Sequence, residues 1–579
     1  MASLPKKLLV ANRGEIAVRV IRAARELGIA TVAVYSEADR DALHVRRADE
    51  AYLLGPAPAT QSYLDGTKLL DVAARAGADA LHPGYGFLAE NAAFARAVLA
   101  RGLIWVGPHP DAIEAMGDKI RSREVMRTAG VPIVPGGIEP LRDTAAAQAA
   151  AETIGLPLAF KASGGGGGKG LKVARTFEEI ESAFAIARRE AQAYFGDPTV
   201  YAERYLDNPK HVELQILADK HGTIVHLGER DCSLQRRHQK VWEEAPARIT
   251  ERVRSGLREA GVRAARAIRY DNAGTIEFLV SGETFYFLEM NTRIQVEHPV
   301  TEMITGIDLI REQIRAAAGE PLGIRQDDIE FRGHAIELRV NAEDPARGFL
   351  PAPGTLRAYH EPGGPGVRID SAAFAGWTIP PEYDSLIAKL IVWGPTRERA
   401  LARLRRACDE FEIVGVPTTI RLARALADHE PVLDASFGTA TLESFAASLD
   451  LVPSPAEPLA AAGNPPPSSE LRLEVNGKLF HVRLIDAPGR ARTTHAPIRK
   501  SPAPRPAATG DAIVAPMHGV VADLLVRPGD EVKAGQVVVV VEAMKMMNEL
   551  RAPRAGIVER VAVEKGATVE GGTILVTFA

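Results

Sequence analysis

The stretch VEAMKMMN, residues 541–548, stands at the join of two similar halves of the C-terminal sequence. Residues 515–538 and 552–575 match at a constant offset of 37 positions, with Ala-Pro, Gly and Val recurring in the same order. Each half alternates apolar segments with Gly-containing turns such as RPGD at 527–530, a pattern typical of short antiparallel strands. The sequence therefore predicts a small two-sheet sandwich of quasi-two-fold symmetry, with Lys545 on the turn between its halves.

Lys545 allows two interpretations. A single lysine on a turn is most often only solvated, but this one lies between Met544 and Met546 at the join of a repeat. The segment EAMKM, residues 542–546, resembles the biotin attachment motif of biotin carboxyl carrier domains. Lipoyl domains resemble the same fold but usually have Asp-Lys-Ala at this turn. The resemblance implies that Lys545 carries covalent biotin, attached by a biotin protein ligase.

Length and composition narrow the class of protein. A chain of 579 residues is too long for one core and predicts about three to five domains. Its net charge of −4 and pI near 6.4 provide no general field for nucleic acid or an anionic membrane. Cys232 and Cys408 are too few for a disulfide framework, and no apolar run approaches the ~18 residues of a transmembrane helix. We expect a cytoplasmic protein with no nucleic-acid or membrane partner.

The N-terminal sequence has the order strand, helix, strand, at residues 7–11, 15–27 and 31–35. This order predicts a Rossmann-like half-sheet. The turn after the first strand reads ANRGEIA, residues 11–17, and not G-x-G-x-x-G, so we reject NAD binding there. This turn and the Gly-rich turn HPGYGFLAEN, residues 82–91, resemble signatures of the biotin carboxylase N-terminal domain.

A glycine-rich loop provides the strongest nucleotide signal. The loop, residues 164–170, separates two apolar segments at 158–160 and 171–174. Because a strand and not a helix follows, this is not a P-loop. Backbone N–H groups in such a loop can close over phosphate oxygens, although a flexible linker is the alternative. The arrangement is similar to the ATP-grasp fold and predicts ATP binding by Lys161, Gly165, Gly166, Gly167 and Lys169.

Carboxylates cluster in the segments TIEFL, residues 275–279, and FYFLEMNTRIQVEH, residues 285–298. The Ser281-Gly282 turn predicts a hairpin that brings Glu277 near Glu289. If the second segment is extended throughout, its alternation directs Leu288, Met290, Ile294 and Val296 into the core and Glu289, Asn291, Arg293, Gln295 and Glu297 to one face. Two carboxylates and an amide oxygen suit Mg²⁺ or Mn²⁺, which predicts a metal site at Glu277, Glu289 and Asn291. An exposed polar face of an edge strand is the alternative.

Two further segments carry polar groups. The charged run at 229–240 predicts either a solvated face or a polyanion pocket. The alternating segment at 333–341 presents Glu337, Arg339 and Asn341 together.

From about residue 4 to residue 449 these motifs stand in the order of the biotin carboxylase family. The resemblance implies ATP-dependent carboxylation of biotin with bicarbonate, in which Glu297 deprotonates bicarbonate. It implies that Arg293 and Lys240 hold the anion and that Arg339 stabilises the enolate form of biotin. It further implies nucleotide contacts from Lys119, Glu203, Arg204, Leu206, His211, Gln235, His238 and Gln295, and it places Glu213 on the ribose and base side.

We therefore predict a multidomain α/β chain of five parts. These are a Rossmann-like N-terminal domain (1–115), an ATP-grasp domain (116–330), an α+β C-terminal carboxylase domain (331–450), a Pro/Ala-rich linker (451–510) and a small all-β biotinyl sandwich (511–579). Within the linker, Asn476-Gly477 predicts a short hairpin at 471–485. The stretch after it, residues 487–510, would span roughly 80 Å fully extended and about 27 Å as a coil, so we expect the carrier to swing.

The linker is too short to hold a carboxyltransferase domain. The resemblance therefore implies a separate carboxyltransferase β subunit that carboxylates an acyl-CoA, of the acetyl or propionyl type, in a complex where this chain forms a homo-oligomer. Two alternatives stay open. An ATP-grasp ligase of other specificity leaves Lys545 unexplained, and a non-catalytic biotinylated carrier leaves the polar residues between Glu277 and Arg339 unexplained.

Overall fold

The computed structural model describes residues 3–136, 139–162, 171–195, 197–236, 239–449, 470–475, 477–483, 512–517, 519–544 and 546–579. Among the helices in these ranges, none combines the length and the apolarity needed to span a bilayer.

The N-terminal part is built on a parallel sheet. Its strands are β1 (Lys7–Val10), β2 (Ala30–Ser36), β3 (Glu50–Gly55), β4 (Ala80–His82) and β5 (Ile104–Trp105), and its helices are α1 (Gly14–Glu26), α2 (Leu43–Arg47), α3 (Gly66–Ala76), α4 (Ala92–Ala100) and α5 (Pro110–Gly117). The strands pair in parallel in the order β3-β2-β1-β4-β5. Leu8, Leu9 and Val10 are fully buried, as expected for a parallel strand covered on both faces. The predicted strand-helix-strand opening is confirmed.

The central part follows without a break. It contains α6 (Lys119–Thr128), α7 (Thr144–Ile154), β6 (Leu158–Ala162), β7 (Leu171–Ala174), α8 (Ile180–Phe195), β8 (Val200–Arg204), β9 (Lys210–Ala218), β10 (Ile224–Arg236), β11 (Gln239–Ala245), α9 (Glu251–Ala267), β12 (Asn272–Ser281), β13 (Thr284–Asn291), α10 (His298–Thr305) and α11 (Leu309–Ala317). Strands β7, β6 and β8 form a small antiparallel sheet. Because β6 and β7 are its paired neighbours, the glycine-rich loop joins two strands, as the sequence predicts.

The C-terminal carboxylase part mixes short strands and helices. It contains β14 (His334–Asn341), β15 (Glu343–Asp344), β16 (Leu350–Pro351), β17 (Ala358–His360), β18 (Val367–Ser371), β19 (Leu386–Gly394), α12 (Arg397–Glu410), β20 (Glu412–Val414), α13 (Ile420–Leu426), α14 (Glu430–Leu433) and α15 (Thr441–Ser448). One eight-stranded sheet, in the order β13-β12-β9-β10-β11-β14-β19-β18, runs through both the central and this part. Pairing of Glu243 on β11 with Glu337 on β14 joins them. Polar groups on strands from both parts can therefore meet over one sheet.

A hairpin of β21 (Glu470–Val475) and β22 (Lys478–Arg483) follows. It extends the N-terminal sheet beyond β3.

The carrier is a sandwich of eight strands: β23 (Ala512–Val514), β24 (Gly519–Leu524), β25 (Glu531–Val532), β26 (Val537–Ala543), β27 (Met546–Arg551), β28 (Gly556–Val561), β29 (Thr568–Val569) and β30 (Ile574–Phe578). They form the sheets β23-β30-β28-β25 and β27-β26-β24-β29. Gly529 and Gly566, at equivalent places in the repeat, have φ of 93° and 87°, which side chains rarely adopt. The predicted two-sheet sandwich is confirmed, and Lys545 stands between β26 and β27.

Candidate active site

A cavity of about 990 Å³ is lined by residues of the small sheet and of the eight-stranded sheet. This volume lies within the range of ligand-binding pockets. Every predicted site residue whose side chain the structure describes lines this cavity: Lys161, Glu203, Arg204, Leu206, His211, Gln235, Lys240, Glu277, Glu289, Asn291, Arg293, Gln295, Glu297 and Arg339. Residues separated by up to 178 positions in the sequence, from Lys161 to Arg339, thus meet in one place.

Gly165, Gly166, Gly167, Lys169, His238 and Lys545 lie outside the described residues. Lys119 begins α6, but its side chain is not among those described.

Lys240 is the centre of a cluster of carboxylates. Its Nζ atom lies 2.7 Å from Oε1 of Glu297 and 3.2 Å from Oε1 of Glu277, and it also contacts Glu213. Burial alone would lower the pKa of Lys240, but the three carboxylates raise it well above its ordinary value. Lys240 is therefore a fixed positive charge on the cavity wall.

Glu297 bridges two cations. Its second oxygen, Oε2, accepts from Nη2 of Arg339 at 3.0 Å, while the side chain of Glu297 is almost fully buried. Burial would raise the pKa of this carboxyl, but Lys240, Arg339 and Arg230 outweigh burial and hold its pKa well below the usual range. Glu297 is thus ionised at neutral pH, as a proton acceptor must be.

Glu277 and Glu289 lie directly opposite each other on β12 and β13. Glu277 also lies 2.8 Å from Nε2 of His211 and accepts at 2.8 Å from the side-chain amides of both Asn291 and Gln295. Burial and the charge of Glu277 raise the pKa of Glu289. A divalent cation relieves the repulsion between two close carboxylates and favours the ionised form of both. These residues therefore fit a metal.

Asn291 is held on both sides of its amide. Its Nδ2 donates to Glu277 and its Oδ1 accepts from Nη2 of Arg293 at 2.8 Å. Arg293 in turn donates from Nε to Glu90 at 2.8 Å. Coordination of a metal by the Asn291 oxygen would therefore replace the hydrogen bond from Arg293.

The prediction of an extended strand through residue 297 is wrong. Strand β13 ends at Asn291, and a loop leads to α10, which begins at His298. The prediction that Leu288 turns into the core is also wrong, because this side chain is 37% exposed and lines the cavity. A bulge causes this: Glu277 pairs with Glu289 but Phe278 pairs with Phe287, so Leu288 is the extra residue. A bulge re-aims side chains in this way.

Sequence reasoning did not assign a site role to Arg230, and the family resemblance placed Glu213 on the ribose and base side of the nucleotide. Both are fully buried, and the Arg230 guanidinium donates to the side chains of Glu213, Gln215, Thr275, Gln295 and Thr301. The described residues of the charged run at 229–240 therefore include buried ion pairs at Glu229, Arg230 and Asp231. The signal in the sequence was the alternation His211, Glu213, Gln215 along β9, which puts three polar groups on one face.

The carrier contacts the carboxylase beside the predicted attachment site. Met544, the residue before Lys545, is only 4% exposed. It belongs to the buried apolar cluster of the C-terminal carboxylase part and not to the core of the carrier sandwich. Met544 thus packs against the carboxylase part.

The cavity lies between two sheets. One is a small antiparallel sheet whose strands flank the glycine-rich loop, and the other is the larger sheet whose face carries paired carboxylates and cations. This arrangement defines an ATP-grasp enzyme. The parallel-sheet domain before it and the carrier sandwich after it narrow the class to biotin-dependent carboxylases. Comparison with known families agrees. Residues 4–113 match the biotin carboxylase N-terminal domain, 118–325 the ATP binding domain of the carbamoyl-phosphate synthase L chain, 337–444 the biotin carboxylase C-terminal domain and 511–578 the biotin-requiring enzyme family.

The chain belongs to the biotin carboxylase family, with a biotinyl domain on the same chain, and the predicted fold class is confirmed. It is 54% identical over 443 residues to biotin carboxylase 1 of Bacillus subtilis, covering 76% of this chain and 98% of that protein. It is 47% identical over 595 aligned positions to the biotin-dependent acyl-coenzyme A carboxylase alpha3 subunit of Mycobacterium leprae, covering 98% of both. Among solved structures, the biotin carboxylase domain dimer of Hydrogenobacter thermophilus 2-oxoglutarate carboxylase, in complex with MgADP, ADP and bicarbonate, superposes with a TM-score of 0.71 at 51% identity, covering 76% of this chain and 98% of that one.

Proposed function

We propose that this chain uses ATP and bicarbonate to carboxylate biotin attached to its own Lys545, and that it supplies the carboxyl group to a separate carboxyltransferase subunit. The observation that carries the proposal is the meeting of Lys240, Glu297 and Arg339 beside the Glu277–Glu289 pair in one cavity. A covalent carrier on the same chain makes the acceptor of the reaction part of the enzyme.

ATP would bind with its base near the segment Glu203 to Leu206 and its phosphates towards the glycine-rich loop. Glu203 is held by Arg123, at 2.9 Å from Nη1, and by Lys161. A phosphate group would compete with Glu203 for Lys161, since both are anions within reach of the same ammonium. Lys161 would then move from its ion pair to the nucleotide.

Glu277 and Glu289, with Asn291, are the proposed ligands of Mg²⁺ or Mn²⁺. When bound, the metal neutralises phosphate charge during transfer of the γ-phosphoryl group. The protein's part is to hold the two carboxylates opposite each other, through the hydrogen bonds of Asn291 and Gln295 to Glu277.

Glu297 is the proposed base for bicarbonate. In the structure its pKa is low because Lys240 and Arg339 share its charge. Bicarbonate held by Lys240 and Arg293 would take up part of that positive charge, and the pKa of Glu297 would then rise. The Glu297 carboxylate can accept the bicarbonate proton in this state, which leaves an oxygen of the substrate free to attack the γ-phosphorus.

Arg339 is proposed to stabilise negative charge that develops on biotin. Its Nε donates to Glu243 at 2.7 Å, so the guanidinium is fixed by two carboxylates, one of them Glu297. Positive charge already in position requires no reorganisation during the reaction, which makes its effect on the barrier large.

The test of this function is the variant Glu297→Gln, which keeps the shape of the side chain and removes the base. We expect ATP binding to persist, measured by titration calorimetry with Mg-ATP. Bicarbonate-dependent ATP hydrolysis with biotin as acceptor should fall by at least about 100-fold, as expected for loss of a general base. Normal turnover by this variant would overturn the role of Glu297.

The final acceptor is proposed to be an acyl-CoA, acetyl-CoA or propionyl-CoA. The alignment with the M. leprae acyl-coenzyme A carboxylase subunit spans 98% of both chains, carrier included, and supports this proposal. We propose a carboxyltransferase β subunit and a biotin protein ligase as partners, and a homo-oligomer within the complex. Carboxylation of each acyl-CoA by the reconstituted complex decides among substrates.

A further inference from the structure

The hairpin of β21 and β22 interrupts a long connection between the carboxylase and the carrier. Between Leu449 and Ala512 lie 62 residues, whereas only 28 lie between Arg483, the end of the hairpin, and Ala512. A point of attachment at the hairpin would therefore shorten the connection to the carrier by more than half.

The hairpin is attached to the N-terminal sheet through the backbone. Strand β22 pairs antiparallel with β3, with Lys478 opposite Tyr52, and the N–H of Leu53 donates to the carbonyl of Gly477 at 3.4 Å. Strand β3 would otherwise be the edge of a parallel sheet, and an exposed edge readily accepts another strand.

Side chains fix the position of the hairpin. Leu479 is 7% exposed and packs in a buried cluster with Tyr35, Ala42, Val45 and Ala51 of the N-terminal part. The next residue, Phe480, is 43% exposed, as expected where successive side chains point to opposite faces. Leu479 of β22 is thus part of the N-terminal core.

Ion pairs complement the apolar contact. Lys478 Nζ lies 2.9 Å from Oε2 of Glu50, and Nη1 of Arg40 donates to Oε2 of Glu474 at 2.6 Å. Burial would raise the pKa of Glu50, but hydrogen bonds from Lys478, Lys7 and Tyr52 lower it. Both strands of the hairpin therefore have partners of opposite charge on the N-terminal part.

The turn of the hairpin requires glycine at position 477. Gly477 has a φ of 76°, and a Cβ atom there would lie 2.9 Å from Nη2 of Arg75. A residue with a Cβ would be strained by this backbone conformation and would displace the end of the Arg75 side chain.

We propose that the edge of β3 is the docking surface for this hairpin, and that the docked hairpin anchors the carrier to its own carboxylase. The carrier then reaches the cavity on a tether of 28 residues rather than 62. Effective concentration falls roughly as the −3/2 power of tether length, so the anchor raises the local concentration of Lys545 at the cavity about threefold by length alone. The inference rests on the proposed function for its catalytic consequence and on geometry alone for the docking.

The test compares Leu479→Glu with the matched control Phe480→Glu, which places the same charge at the neighbouring exposed position. Lys478→Glu, which opposes Glu50, is a second disrupting variant. Hydrogen exchange of the peptide covering residues 50–55 reports docking. The rate of single-turnover carboxylation of attached biotin measures the effect of the tether, under conditions where delivery of biotin to the cavity limits the rate. The rate of ATP hydrolysis with excess free biotin shows whether the cavity is intact.

We expect Leu479→Glu and Lys478→Glu to speed hydrogen exchange at residues 50–55 and to slow carboxylation of attached biotin about threefold. Turnover of free biotin should be unchanged in both variants. Phe480→Glu should behave like wild type in all three measurements. Unchanged exchange would overturn the docking, and faster exchange with unchanged carboxylation would overturn the tether role. If wild type carboxylates neither attached nor free biotin, the proposed function fails, while hydrogen exchange still decides whether the hairpin docks.

Discussion

The Nζ atom of Lys240 lies 2.7 Å from Oε1 of Glu297 at the cavity, and Glu297 connects this pair to Arg339 of the C-terminal carboxylase part. Lys240 is on β11, and Glu297 directly precedes α10 and also binds Arg339 of β14. Because β11 and β14 are neighbours in the eight-stranded sheet, the central and C-terminal parts position these groups together. A change that loosened that strand pairing would disturb the proposed binding of bicarbonate and the proposed proton transfer at once.

Glu289→Gln should lower the apparent affinity of the protein for Mg²⁺ in ATP hydrolysis. One of two opposed carboxylates is lost, so the Mg²⁺ concentration for half-maximal ATP hydrolysis should rise about tenfold or more, with partial recovery at high Mg²⁺. Glu283→Gln is the control, because Glu283 is an exposed residue in the turn of the same hairpin. An unchanged Mg²⁺ dependence in Glu289→Gln would remove this residue from the metal site.

Arg230→Met should strongly destabilise the central part. The change leaves Glu213 and Gln295 without their hydrogen bonds from Arg230 in a fully buried site. Removing one partner of a buried ion pair costs about 3–5 kcal/mol, which urea unfolding measures. The double variant Arg230→Met/Glu213→Leu should recover part of that loss, because the buried Glu213 carboxylate that has lost its hydrogen bonds from Arg230 is then removed as well. No recovery would show that Arg230 acts through its other contacts.

His44 should make the N-terminal part sensitive to acid. Burial lowers the pKa of His44 to about 4, below the value near 6.5 of an unfolded chain. The unfolded state therefore binds a proton first, so the stabilisation is complete above pH 6.5 and is lost as pH falls towards 4. The loss for one such group is about 3 kcal/mol.

The variant His44→Gln should lack this component. Its free energy of unfolding should fall less than that of wild type between about pH 6.5 and pH 4. Parallel pH profiles of the two proteins would contradict the assignment of a buried neutral imidazole at His44.

Much of the site could be predicted because its residues lie on regular strands or close to them. Glu289 and Asn291 face the cavity as alternation requires, and Arg293, Gln295 and Glu297 line it even though the strand ends before them. The bulge at Leu288 was not predictable, since it depends on how β13 pairs with β12. The direction of the Leu288 side chain therefore depends on strand pairing and not on the local sequence pattern.

Tertiary pairing explains two other features that sequence reasoning did not find. The burial of Arg230 depends on β9, β10 and β12 lying side by side, whereas in the sequence Arg230 belongs to an ordinary charged run. The Asn476-Gly477 signal indicates the hairpin locally, but its docking on β3 depends on the fit of Leu479 into the N-terminal cluster. Local patterns specify elements, and contacts between elements specify where they go.

The most direct test of the account is the intact mass of the protein after co-expression with a biotin ligase, for wild type and Lys545→Ala, followed by a pulse of ¹⁴C-bicarbonate with Mg-ATP. We predict a mass gain of one biotin in wild type that is absent in Lys545→Ala, and ATP-dependent label only on the biotinylated protein. Biotinylated wild type that takes up no label would contradict self-carboxylation. A wild type without the mass gain would contradict the assignment of Lys545 and with it the proposed function.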